Sequence, residues 1–84
     1  MVSITFYAKD GCWFCDMAEE TLNGYLEKYG LAVTKVDITT DDDLYELYRF
    51  DIPVLEFMDG TTLHGRIKKQ DLLAAIERNR RISD

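Results

Sequence analysis

Cys12 and Cys15 are the only cysteines in 84 residues, and they stand three apart in the stretch Lys9-Asp10-Gly11-Cys12-Trp13-Phe14-Cys15. Thiols at this spacing have four readings: a dithiol–disulfide couple, half of a metal site, inert packing, or chance. The first turn of a helix can bring the two sulfurs within reach of a bridge. Only a thiolate attacks a disulfide, so the position of each sulfur decides its chemistry. At the mouth of a helix a thiol meets free backbone N–H groups and the positive end of the helix dipole. Its pKa then falls from about 8.5 into a range of roughly 3.5–7.5. One turn further in, fewer N–H groups are free and apolar surface is nearer. The spacing therefore predicts unlike thiols, with Cys12 as the exposed attacker and Cys15 as the sheltered resolver. Cys12 would open a disulfide and form a mixed disulfide, from which Cys15 would release the reduced product. Lys9 favours the Cys12 thiolate, whereas Asp10 and Asp16 oppose it. Zinc needs four ligands in a closed site. The chain offers two cysteines and one histidine, His64, so no metal is expected and His64 reads as an ordinary hairpin residue.

This chemistry requires a strand that ends just before Cys12 and a helix that starts there. Val2, Ile4 and Phe6 alternate with Ser3, Thr5 and Tyr7, the period of a half-buried strand, and Asp10-Gly11 signals its end. Phe14, Met17, Ala18, Thr21, Leu22, Tyr25, Leu26 and Tyr29 follow at helical spacing. Phe14 falls on that buried stripe. Trp13 lies off it, either as an exposed apolar wall beside Cys12 or packed against the loop after the second strand or the loop before Pro53. Gly24 is the weak point of the helix, or a close packing contact, and Gly30 is its expected stop. Leu31 to Ile38 reads as a second strand. Thr40 is the expected cap of a second helix, with Asp41, Asp42 and Asp43 in its first turn, where carboxylates suit the dipole. Leu44, Leu47 and Tyr48 form its apolar face. Val54 to Met58 reads as a third strand, Asp59-Gly60 as a two-residue hairpin turn, and Thr61 to His64 as a fourth strand. A final helix is expected from about Lys68 to Arg80, with Leu72, Leu73 and Ile76 facing inward and the tail Asn79 to Asp84 frayed. The order β-α-β-α-β-β-α predicts an α/β fold. Its four-stranded mixed sheet is flanked by helices, the first two strands parallel and the last two antiparallel.

Composition narrows the function. Sixteen acidic residues against ten Lys and Arg give a net charge of −6, the wrong sign for a nucleic-acid surface. Eighty-four residues suffice for one domain, expected to span residues 1–84. No run approaches the roughly 20 apolar residues of a transmembrane helix. The N-terminal residues lack the basic and apolar regions of a secretory signal. Cytoplasm is the expected location, where a permanent disulfide staple would be out of place. Phosphate-loop, zinc-hydrolase and serine-nucleophile signatures are absent.

With these residues in place, the chain resembles the thioredoxin superfamily, most closely the glutaredoxin-like proteins. The likeness rests on the strand followed by Gly11-Cys12-Trp13-Phe14-Cys15, on Val36-Asp37-Ile38, on Asp51-Ile52-Pro53-Val54-Leu55-Glu56-Phe57, and on the small β-α finish. It implies a thioredoxin-like fold and reduction of protein or small-molecule disulfides, with glutathione as co-substrate or a reductase as electron donor. It also implies a cis peptide at Pro53 beside the redox pair, and an Ile52 backbone that pairs with glutathione or a peptide strand. Lys9 matches the family's basic residue three before the first cysteine and is the expected partner of a glycine carboxylate. The family's paired glycines and following acid at the start of the last helix are here His64-Gly65-Arg66-Ile67-Lys68. Gly65 is thus the position for close backbone approach, Asp71 the candidate for the glutathione amine, and Arg66 and Arg49 further anion-binding candidates. Trp13-Phe14 replaces the Pro-Tyr of familiar glutaredoxins. A monomer is expected. Two alternatives from other classes stay open, an iron–sulfur carrier sharing a cluster between two chains and a non-catalytic interaction module.

Overall fold

The computed structural model describes residues 1–83, the side chain of Ser83 excepted. The first strand, β1 (Val2–Ala8), buries every second residue: Val2, Ile4, Phe6 and Ala8 are each 1% exposed. It lies inside a four-stranded sheet with β2 (Leu31–Asp37), β3 (Val54–Phe57) and β4 (Thr62–His64), in the order β2-β1-β3-β4. β1 runs parallel to β2, with Ala8 opposite Asp37, and antiparallel to β3, with Tyr7 opposite Val54. β4 returns antiparallel to β3. This is the expected mixed sheet.

The period of two sorts the sheet into an apolar and a polar face. Ile4 sits opposite Phe57, and Phe6 opposite Leu55. Their side chains join one core with Ala18 and Leu22 of α1 (Trp13–Asn23) and Leu72, Ala75 and Ile76 of α4 (Lys69–Ser83). Full burial of one such side chain is worth roughly 1.5–3 kcal/mol. On the other face, the Tyr7 ring stacks on Tyr48 of α3 (Asp42–Tyr48), with centroids 4.5 Å apart. The Tyr7 hydroxyl donates to the Glu56 carboxylate at 3.2 Å. Burial, then the negative charge of Glu56, holds the Tyr7 phenol above its ordinary pKa.

Six local expectations are corrected. The long first helix is two pieces. α1 stops at Asn23 and α2 (Leu26–Tyr29) follows, with Gly30 in left-handed geometry at its end (φ 64°). Gly24 sits in the break in right-handed geometry. The nearest atoms to an added Cβ are carbonyls of α1 itself, so it marks the break and not a packing contact. The cap of α3 is Asp41, not Thr40. Its carboxylate accepts the N–H groups of Asp43 and Leu44 at 2.9 and 3.1 Å. Leu47, expected to face inward, is 63% exposed. The hairpin turn spans residues 58–61, where Gly60 has φ 88° and Thr61 N–H donates to Asp59 Oδ1. The last helix runs on to Ser83 because Asn79, fully buried, ties it down. Its side chain donates to Ala75 O at 2.8 Å and accepts Asp59 N–H at 3.1 Å. The expected fraying is thus overturned through residue 83; Asp84 lies outside the described residues.

Candidate active site

β1 ends at Ala8, and three residues later Gly11 turns the chain in left-handed geometry (φ 79°). A residue with a side chain would be strained there. The turn delivers Cys12 to the cap of α1 in extended geometry (φ −95°, ψ 109°). Its sulfur accepts the backbone N–H of Cys15 at 3.1 Å, and its carbonyl takes the first helical hydrogen bond, from Asp16. Cys12 and Cys15 are joined as a disulfide, with Cα atoms 5.2 Å apart. Cys15 is 2% exposed and belongs to the core, whereas Cys12 is half-buried at its margin. The two cysteines are thus unlike in burial, although Cys12, expected to be exposed, is half-buried.

Trp13 is 71% exposed, which settles its two readings in favour of the open wall. Phe14, expected in the core, is 42% exposed and stacks on Trp13 with ring centroids 5.7 Å apart. Periodicity placed it on the buried stripe. The buried stripe of α1 instead runs through Cys15, Ala18 and Leu22, which turns Phe14 and Met17, the latter 44% exposed, towards its edge.

Ile52-Pro53 is a cis peptide. Pro53 precedes Val54, the partner of Tyr7, so the register brings it to the sheet end from which the Cys12 loop departs. Its ring is fully buried, so the shape it lends the site is that of its backbone. Of the Ile52 backbone, expected to pair with a bound strand, the N–H already donates to Tyr48 O at 3.1 Å, beside Asp51 N–H at 2.8 Å. Gly65 (φ 70°) gives its N–H to both Asp51 O and Pro53 O at 3.0 Å. That glycine braces the Pro53 loop instead of holding out a donor, although space around its Cα is open. Tyr48 and Gly65 are therefore supports that sequence reasoning missed in these roles. Backbone bonds between distant loops leave no mark in residue type.

The cations expected near the pair divide. Lys9 is half-buried just after β1. Arg49 instead lies over the Phe50 ring at 4.5 Å. Arg66 lines a cavity of about 50 Å³, across from Phe14 and Met17 of α1, with Ile67 beside it and the buried Leu55 beneath. A more open groove of about 420 Å³ continues past Met17 and Thr21 to Tyr25 and Lys69. Asp71 is exposed in the first turn of α4, and His64 is exposed at the end of β4. No cluster of three metal-ligating side chains occurs among the described residues. Nor, among them, is any helix long and apolar enough to cross a membrane.

Comparison with known proteins agrees with this geometry. The model of the family described as "Glutaredoxin-like domain (DUF836)" matches residues 3–77. A structural-genomics target protein from X. campestris is 29% identical over 89% of this chain and 96% of its own, with a TM-score of 0.75. A mutant thioredoxin from Halobacterium salinarum is 25% identical over 93% of this chain and 74% of its own, also at 0.75. Thioredoxin 1 from Thermosipho africanus shares the fold at a TM-score of 0.74, with 15% identity over 96% of this chain and 97% of its own.

Proposed function

This chain belongs to the glutaredoxin-like domain family (DUF836), and we propose that it is a thiol–disulfide oxidoreductase whose electrons pass through Cys12 and Cys15. One observation carries the reading. The Cys12 sulfur occupies a helix cap and receives the Cys15 N–H, while its partner sulfur is sealed in the core. In the reduced protein that N–H and the dipole stabilise a Cys12 thiolate.

The thiolate attacks one sulfur of a substrate disulfide. The substrate S–S bond breaks, a Cys12–substrate bond forms, and one substrate thiolate leaves. Cys15 then loses its proton and attacks the Cys12 sulfur, expelling the second substrate thiolate and closing the Cys12–Cys15 bridge. Two electrons have moved from the protein to the substrate. Two glutathione thiols return them. The first forms a mixed disulfide with Cys12, and the second releases glutathione disulfide. Lys9 and Arg66 are the cations assigned to the glutathione carboxylates, with the Ile52 carbonyl as a backbone contact. Trp13 forms the rim a protein substrate covers. The protein acts as a monomer in the cytoplasm, where reduced glutathione is abundant.

Turnover of a small neutral disulfide, with glutathione and glutathione reductase as donors, tests this reading. Wild type is expected to turn over, Cys12→Ser to be inactive, and Cys15→Ser to accumulate a mixed disulfide. Full activity in Cys12→Ser would reverse the assignment. No activity in wild type, with both thiols titrating as ordinary cysteines, would make the domain a non-catalytic module.

A further inference from the structure

Resting on that reading, we propose that the groove between α1 and the segment entering α4 receives an acidic stretch of the substrate protein, anchored by one branched aliphatic side chain. The substrate class is then a disulfide protein with such a stretch next to its reactive cysteine.

The groove begins at the redox pair, since Phe14 lies between the two cysteines and lines the cavity with Met17 one turn on. Both are large apolar side chains, 42% and 44% exposed. The cavity they share, about 50 Å³, holds roughly four water-sized groups. That is the bulk of a leucine or isoleucine side chain and less than an aromatic ring. Met17 is about 7 Å along the helix from Cys12 at 1.5 Å per residue. In an extended partner the anchoring side chain would stand about two residues from the cysteine under attack.

The rim supplies the charge preference. Arg66, Lys68 and Lys69 place three of the chain's ten Lys and Arg within four positions, all exposed. Among the described residues none of the three makes an ion pair, whereas Lys35, Arg78, Arg80 and Arg81 do. Fold stability does not account for them. Lys68 and Lys69 sit at the start of a helix, where the dipole disfavours cations, and α3 shows what this chain uses there otherwise, three aspartates. Glu20 lines the same groove and Asp71 lies in the first turn of α4, and the two reduce the local charge without cancelling it. In a protein of net charge −6 the patch is a local exception. An acidic partner is repelled elsewhere and attracted here, along the groove that leads away from the sulfurs.

Two disulfide-bearing peptides test the proposal, one with Glu-Leu-Glu-Glu after the reactive cysteine and one with Lys-Ser-Lys-Lys, alongside the small neutral disulfide. Wild type is expected to reduce the acidic peptide with at least tenfold higher kcat/KM, a preference that shrinks as salt is added. The double variant Lys68→Glu, Lys69→Glu should lose or invert the preference while small-disulfide turnover stays within twofold. An unchanged preference in the variant, or none in wild type, overturns the proposal. An equal fall on all three substrates also overturns it, because the cations then serve the electron donor. Failure of every substrate in wild type would instead sink the functional reading. The groove is read separately by binding of the same peptides with serine in place of cysteine, followed by fluorescence of the single tryptophan, Trp13. Tighter binding of the acidic peptide supports the proposal, and equal binding overturns it.

Discussion

Two helices of this protein open in the same way and to different ends. α3 is capped by Asp41, whose carboxylate takes the N–H groups of Asp43 and Leu44. α1 is capped by Cys12, whose sulfur takes the N–H of Cys15. Both caps answer the same demand, because the first turn of a helix leaves backbone donors without partners. Aspartate is a permanent anion at neutral pH and a poor nucleophile, so the α3 cap contributes stability and nothing else. Cysteine is a weak acid and a strong nucleophile, so the same field shifts its protonation and its reactivity. Chemistry at a helix mouth thus depends less on the mouth than on whether the capping atom can change state.

The comparison can be broken or sharpened by substitution. The largest effect is expected for Cys12→Ser, which keeps a capping oxygen and removes the nucleophile. Disulfide turnover should fall on the order of 10³-fold or more, with the helical circular dichroism signal retained. Cys15→Ser should leave the attacker intact. Mass spectrometry should then find Cys12 held in mixed disulfide with a protein substrate, and the hydroxyl placed in the core should cost about 1–3 kcal/mol. Alkylation rate against pH, in the reduced protein, should place the Cys12 thiol below the ordinary value of about 8.5, and Cys15 above Cys12. The sign for stability follows from that lowering. Cys12 contributes nothing below its folded pKa. Its contribution grows as pH rises from there to about 8.5 and is level above, so reduced protein should gain stability over that window. At the other mouth, Asp41→Ala should cost about 1 kcal/mol in urea unfolding and leave turnover unchanged. The smallest effect makes the two mouths alike. Cys12→Asp should be inactive, yet more stable than Cys12→Ala by about 0.5–1 kcal/mol. Equal stability of those two variants would mean that the α1 mouth exerts no field on its cap.

How much of this the sequence disclosed depends on the range of the interaction. The alternation of Val2, Ile4 and Phe6 with Ser3, Thr5 and Tyr7 announced β1, because a strand's period of two is written residue by residue. The placement of Cys12 and Cys15 at a helix start was legible for the same reason, since a turn signal, a cap and a helical stripe are all local. Phe14 was misplaced because the apolar run Phe14, Met17, Ala18, Thr21, Leu22 is wider than the face that is buried, which Cys15, Ala18 and Leu22 occupy. Gly24 was read as a tolerated weakness, and the chain used it as a break. Asp41 and Thr40 are both good caps, and one residue of offset lies below what propensity resolves. The brace of the Pro53 loop by Gly65 and Tyr48 left no trace, since any residue type has a carbonyl and most have an N–H.

Asn79 gives the molecule a built-in gauge. Its buried amide holds both the Asp59 N–H in the hairpin turn and the backbone of α4, so that hydrogen exchanges when the turn and the last helix part. Deuterium uptake at this one position should therefore clock how often the turn and α4 come apart. A segment lying across α1 and α4 should slow that clock without touching Asp59 at all.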